Sequence, residues 1–241
     1  METHLKNLLL VTVLLGTAAT AGAESRYEFT RFAMPESGRI VVPAVEGEAL
    51  SGIAAEVDSR TGGALTTAAG EAGFTGAAGQ TLTVYAAKPF ARVDLVGLGS
   101  EPVDRVTAEN FGGAAAQLLG NASGGEVDLL WQVDGAAADA TGARVAFGYE
   151  LGSYRFDRLR ANRVDETTLP RVRVLSDDTS GDQYANDLAY LAEGLYLARN
   201  IPSEPAIRVY PQSFVDLVRD AFDDVDKVRI RVLDEKDLER L

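Results

Sequence analysis

The sequence predicts an α/β layered domain with a mixed, largely parallel sheet. Three observations carry that expectation. Short apolar or alternating runs read as strands, amphipathic stretches fall between them, and glycine-rich turns separate the two. Strands that alternate with helices in this order favour one sheet covered by helices. The domain is expected to run from about Arg26 to about Val174.

Ile40–Val42 is a short apolar strand that ends at Pro43. Gly52 to Asp58 begins a helix with Ala54 and Val57 on one face and Asp58 and Arg60 outside it, and Thr61-Gly62-Gly63 stops it. A turn-rich stretch follows at Gly73-Phe74-Thr75-Gly76, with Gly79 close behind. Thr81–Tyr85 alternates and reads as a strand. Arg92–Val96 is another, ending in the turn Gly97-Leu98-Gly99. Thr107 is placed as a helix N-cap, because Phe111, Ala115, Leu118 and Leu119 then form one apolar face before Gly120. Val127–Val133 is a buried strand holding Trp131, and an Ala-rich helix runs from about Ala136 to Leu151 after Asp134-Gly135.

A second section spans 176–241. It opens with the polar loop Ser176–Gly181. A helix from Gln183 to Arg199 carries Leu188, Leu191, Leu195 and Ala198, and Pro202 and Pro205 break it. Pro211 sits at N1 of a helix whose apolar face is Phe214, Leu217, Val218 and Ala221. Val228–Leu233 reads as a strand with Ile230 and Val232 on one side, and Asp234 caps a last helix. Strand plus half a helix is an incomplete α/β segment. This section is expected to be the least stable part of the chain, cut by protease near Asn200 to Tyr210, with a resistant core that ends between Asp157 and Arg199.

At the other end, Leu8–Leu15 is an apolar run too short to span a bilayer. It follows Lys6 and leads to Ala21-Gly22-Ala23, an Ala-x-Ala cleavage pattern. Residues 1–23 therefore read as a secretory signal peptide, and a periplasmic or secreted protein is expected, with no membrane attachment after cleavage; the alternative is a frayed helix on a cytoplasmic protein. The net charge of −13 and the lack of a basic run argue against nucleic-acid partners. Cysteine is absent, which excludes disulfides, thiol catalysis and thiolate metal sites. The single histidine is His4, inside the segment expected to be removed. An imidazole-based triad or His-ligated zinc is then excluded as well.

Four stretches resemble the leucyl (cytosol) aminopeptidase family. They are Gly47–Phe74, with its helix, paired glycines and Phe-Thr-Gly turn; Val96-Gly97-Leu98-Gly99 with the following helix and Gly112-Gly113; Ala146–Leu159, a Gly-x-Tyr-x-Phe-Asp segment; and Ala198–Arg219 followed by Val228–Leu241. The resemblance implies a macro-like three-layer N-terminal domain, then a linker and the opening of a metallopeptidase domain. In the full-length family it implies two divalent metals, manganese or zinc, held by carboxylates and a lysine, which activate water for hydrolysis of N-terminal residues from peptides. Homo-oligomers are also implied for the full-length form. The family's metal-binding stretches, of the Phe-Asp-Thr-Gly-Gly and Asn-Thr-Asp-Ala-Glu-Gly-Arg kind, are not found in this sequence. Arg199-Asn200, Ile207 and Tyr210 depart from the family pattern, and Tyr210 stands where a Thr or Ser cap is usual.

No catalytic, cofactor-binding or metal residue is assigned. Asp177-Asp178-Thr179-Ser180-Gly181-Asp182 is the nearest carboxylate cluster, but its spacing is not that of a calcium loop and it reads as a solvated loop before a helix. Asp223, Asp224 and Asp226 read as a charged turn. Gly97-Leu98-Gly99 reads as a strand-end turn, with a remnant nucleotide loop as the sharper possibility. Gly148 and Gly152 read as a helix-packing pair, and Trp131, Tyr149, Tyr154 and Phe156 as core and interface. The expected function is the N-terminal portion of a metal-dependent leucyl aminopeptidase, inactive in this form. The alternative is a stand-alone exported macro-like module that binds without catalysis.

Overall fold

A computed structural model describes residues 26–47, 49–100, 102–120, 124–157, 159–161, 169–176, 180–223, 225 and 227–240. The expected signal peptide lies outside the described residues, as do Asp177, Asp178, Thr179, Asp224 and Asp226.

The elements run β1 (Tyr27–Arg31), β2 (Gly38–Val45), α1 (Gly52–Arg60), α2 (Ala64–Ala72), β3 (Thr81–Tyr85), β4 (Phe90–Gly99), α3 (Arg105–Leu119), β5 (Glu126–Trp131), α4 (Gly142–Ser153) and β6 (Arg171–Ser176). After β6 come α5 (Gly181–Gln183), a π turn (Tyr184–Leu188), α6 (Ala189–Ser203), α7 (Pro211–Ala221) and α8 (Glu235–Leu238). The strands form one sheet in the order β1-β6-β5-β2-β4-β3. Every pairing is parallel except β3 with β4. The α/β fold with a mixed, mostly parallel sheet is therefore as the sequence predicts.

Alternation along the strands sends side chains to two cores. Val41, Val96, Leu98, Val127, Leu129, Val172 and Val174 meet α3, α4 and the start of α6, with Phe111, Trp131 and Tyr149 filling the layer. Ile40, Val42, Val93, Leu95 and Leu130 meet α1 and α2 through Ile53, Val57 and Leu65 on the opposite face. Helices α3 and α4 cross closely because Gly112, Gly148 and Gly152 offer no side chain at the crossing. A Cβ on Gly152 would stand 2.8 Å from the Gly113 carbonyl oxygen, and Cβ atoms on Gly112 and Gly148 would overlap Val145 O and Glu109 O.

Several local expectations are corrected. β2 continues through Pro43; its ladder to β5 covers only Ile40 and Val41, so Pro43 sits where β2 has one paired neighbour, β4. β4 continues through Gly97-Leu98-Gly99, which is strand and not turn. The N-cap of α3 is Asp104, three residues before Thr107: its Oδ1 accepts from Val106 N–H (2.9 Å) and Thr107 N–H (3.0 Å). Those bonds hold its carboxyl below the usual range. α4 starts at Gly142, not Ala136, because residues 136–140 fold back so that the Ala140 carbonyl accepts from Trp131 Nε1 at 2.7 Å. α6 passes through Pro202 and ends at Ser203. A proline costs least in a last turn, and Glu204 N–H still reaches Asn200 O at 3.1 Å. On α6, Ala192 is buried while Leu191 is half exposed, so the inward stripe is Tyr184, Leu188, Ala192 and Leu195.

Residues 228–233 join no ladder. A period-2 pattern becomes a strand only where a neighbour accepts its backbone groups. β1, α2 and β6 carry no sequence expectation, and the π turn falls inside the helix expected from Gln183 to Arg199. α2 is capped from another helix: Asp58 Oδ1 accepts from Leu65 N–H (2.8 Å) and Thr66 N–H (3.0 Å). Such a cap from α1 leaves no N-cap signature at Gly63 itself.

Candidate functional site

Three places could hold chemistry: the carboxyl ends of the central strands, the carboxylates inside the sheet, and the aromatic junction between β1, α4 and α6.

At the carboxyl ends of β2 and β4, where an α/β sheet usually takes its ligand, the backbone is already committed. Gly97 N–H donates to Gln80 O (2.8 Å), Gly99 N–H to Gly76 O (2.9 Å), Glu46 N–H to Gly99 O (3.1 Å) and Gly47 N–H to Thr75 O (3.0 Å). The Gln80 side chain closes the same loop by accepting from Thr75 N–H at 2.9 Å. Glycine is needed at 97 because a Cβ would stand 2.7 Å from Gly76 O, and at 99 because φ is +83°. The donors a phosphate would need thus face protein, so Gly97-Leu98-Gly99 serves loop packing here.

Two carboxylates are buried in the sheet, and each meets an arginine. Asp128 accepts from Arg173 Nε (2.6 Å) and Nη2 (2.8 Å), a fork pairing across β5 and β6 that raises the guanidinium further. Asp94 lies 2.8 Å from Arg92 Nε and accepts from the Thr83 hydroxyl, while Arg92 Nη2 reaches the Leu118 carbonyl (2.9 Å) at the end of α3. Both are ion pairs inside the sheet. Among the described residues no three His, Cys, Asp or Glu side chains gather as a metal would require. The described donors therefore do not fit a two-metal centre. Ser180 of the expected Asp-rich loop is buried, Asp182 opens α5 on the surface, and Asp223 is exposed after α7. A shallow cleft of about 440 Å³ beside β1 and β6 is lined by Thr30, Arg31, Glu36 and Arg173, and Arg173 is already held by Asp128.

The junction is the richest polar cluster. The Tyr27 hydroxyl donates to Glu150 Oε2, and the Tyr27 ring stands edge-on to Tyr149 and Tyr184, with centroids 6.1 and 5.1 Å apart. Arg26 lies over Tyr149 at 5.4 Å. Tyr196 Oη donates to Glu150 O at 2.6 Å, and Tyr154 Oη to Asn200 Oδ1 at 2.9 Å. Burial, helped by the Glu150 carboxylate, pushes the phenols of Tyr27, Tyr184 and Tyr196 well above their usual range, so they remain donors. Tyr149, Tyr154 and Trp131 fall in core and interface as the sequence suggests. Tyr27, Glu150 and Tyr196 carry no local signal, because their neighbours are far apart along the chain.

The fold and this arrangement define an α/β domain whose buried polar groups hold structure together. The family description "Cytosol aminopeptidase family, N-terminal domain" matches residues 41–163. The chain belongs to the cytosol aminopeptidase family. It is 38% identical over 182 residues to a probable cytosol aminopeptidase of Caulobacter vibrioides, covering 73% of this chain and 36% of that protein. It is 31% identical over 226 residues to one of Brucella suis, covering 88% and 44%. A leucine aminopeptidase mutant from tomato shares the fold, with a TM-score of 0.71 at 21% identity, over 89% of this chain and 45% of that one. The chain thus spans less than half the length of the relatives it matches.

Proposed function

We propose that this chain serves as the non-catalytic, macro-like N-terminal portion of a leucyl aminopeptidase, in an exported form. The observation that carries this reading is the match of residues 41–163 to the family's N-terminal domain. In the longer family form, two divalent metals, manganese or zinc, supply the hydrolysis of N-terminal residues from peptides. The described residues of this chain offer arginine-paired carboxylates in place of metal donors. Purified chain with added manganese or zinc is expected to release no leucine from a leucyl chromogenic substrate. Turnover that co-purifies with the chain and disappears on chelation would overturn the proposal. A second reading, a stand-alone binding module, draws on the two cores that the sheet closes without α7 or α8.

A further inference from the structure

The carbonyls in the last turn of a helix have no partner inside it. At α4 much of that need is met by α6. Tyr196 Oη donates to Glu150 O (2.6 Å) and Arg199 Nη1 to Leu151 O (2.9 Å). One turn of α6 also sets Asn200 Oδ1 at 2.9 Å from Tyr154 Oη, the Arg199 guanidinium 5.2 Å over the Tyr154 ring, and the Tyr196 and Tyr154 rings 5.1 Å apart. Five contacts therefore fall on three residues of α6, and most of them are polar.

The apolar attachment of the same helix lies upstream. Tyr184, Leu188 and Ala192 are buried and Leu195 is partly buried, whereas Tyr190 and Leu191 face solvent. At the start of that stretch the backbone makes a π turn, in which Ala189 N–H donates to Tyr184 O. A π turn interrupts the regular ladder and is a point where a helix bends. Beyond α6, α7 packs extensively against no strand or other helix among the described residues. The helix is thus anchored at its start by oil and at its end by hydrogen bonds that water can replace.

We propose that α6 is a lever held to the domain by a polar latch of Tyr196, Arg199 and Asn200, and that it pivots at the Tyr184–Leu188 π turn. The latch then sets the direction in which residues 204–240 leave the domain, and its release withdraws Ala192 and Leu195 from the edge of the first core while the sheet, α3 and α4 keep their packing.

The chain has no cysteine, so two can be introduced cleanly for spin labels, Gln117→Cys on α3 and Ala198→Cys on α6. With the latch closed, the pair gives one narrow distance distribution. Tyr196→Phe combined with Arg199→Ala is expected to broaden it and to speed amide exchange across 189–203 by about tenfold, with β4 and α3 unchanged. Arg199→Lys, which keeps a donor and a cation over Tyr154, is expected to retain the narrow distribution. An unchanged distribution in the double variant overturns the latch. Exchange that accelerates through β4 and α3 as well overturns the lever, because α6 would then be an inseparable part of the core.

Discussion

Arg173 illustrates what single residues do in this fold. Asp128 is nearly inaccessible, and its two oxygens take the Arg173 fork, with Glu126 3.8 Å from the same guanidinium. Removing the arginine strands a buried carboxylate; removing both charges does not. Arg173→Ala is expected to cost about 2–3 kcal/mol by urea unfolding, below the roughly 3–5 kcal/mol of a fully buried pair because the arginine is one-third exposed. The double variant Asp128→Leu with Arg173→Met should come within about 1 kcal/mol of the parent. Equal losses in the two variants would show that shape, not charge, decides the site. Neither residue stood out in the sequence. A charged residue in a strand looks solvent-facing until its partner on another strand is known, and Asp128 and Arg173 belong to β5 and β6. The same limit hid Tyr27 with Glu150 and Asp58 with Leu65, whose contacts join different elements.

At the scale of elements, the α3–α4 crossing and the interior of α2 make opposite demands on glycine. Gly148 is required because a Cβ there would overlap the Glu109 carbonyl of α3. Gly70, in the middle of α2, is exposed and has open space around it. Gly148→Ala is expected to lower stability by roughly 2–3 kcal/mol through overpacking. Gly70→Ala should raise it by about 0.5–1 kcal/mol through helix propensity. Thermal unfolding of the two variants side by side checks both signs. The packing role of Gly148 and Gly152 was legible because i, i+4 small residues leave a groove on one face. α2 was not, since its cap is supplied by Asp58 of another helix. The Val228–Leu233 pattern misled for the opposite reason: alternation describes which side chains could face a core, and the sheet formed by the described residues does not receive them.

Across the whole molecule, stability is uneven. Two cores enclose the sheet, and the inward stripe of α6 extends the first of them past residue 192. After Ser203 the chain exposes Ile207, Tyr210, Phe214, Val228 and Ile230. Limited proteolysis is therefore expected to begin between residues 204 and 210 and to leave a resistant fragment that ends near Ser203. That end point lies beyond the Asp157–Arg199 window suggested by the sequence, because the contacts of Tyr196 and Arg199 with α4 protect α6. Survival of residues 228–240 for as long as β4 would contradict it.

The strand order carries a consequence for how the protein is made. β1 lies at one edge of the sheet and pairs with β6 alone among the described strands, with Tyr27 opposite Val172 and Arg31 opposite Ser176. The strand synthesised first in the domain thus pairs with the strand synthesised last. Long-range closure of this kind is slow, since the intervening chain must be gathered before any contact rewards it. While β2 to β5 emerge, Tyr27 and Phe29 have no ladder to join, and the pocket that α4 builds for Tyr27 does not yet exist. The domain therefore cannot complete itself on a ribosome until residues 171–176 have come through, and a nascent chain halted before that point keeps its first strand unpaired.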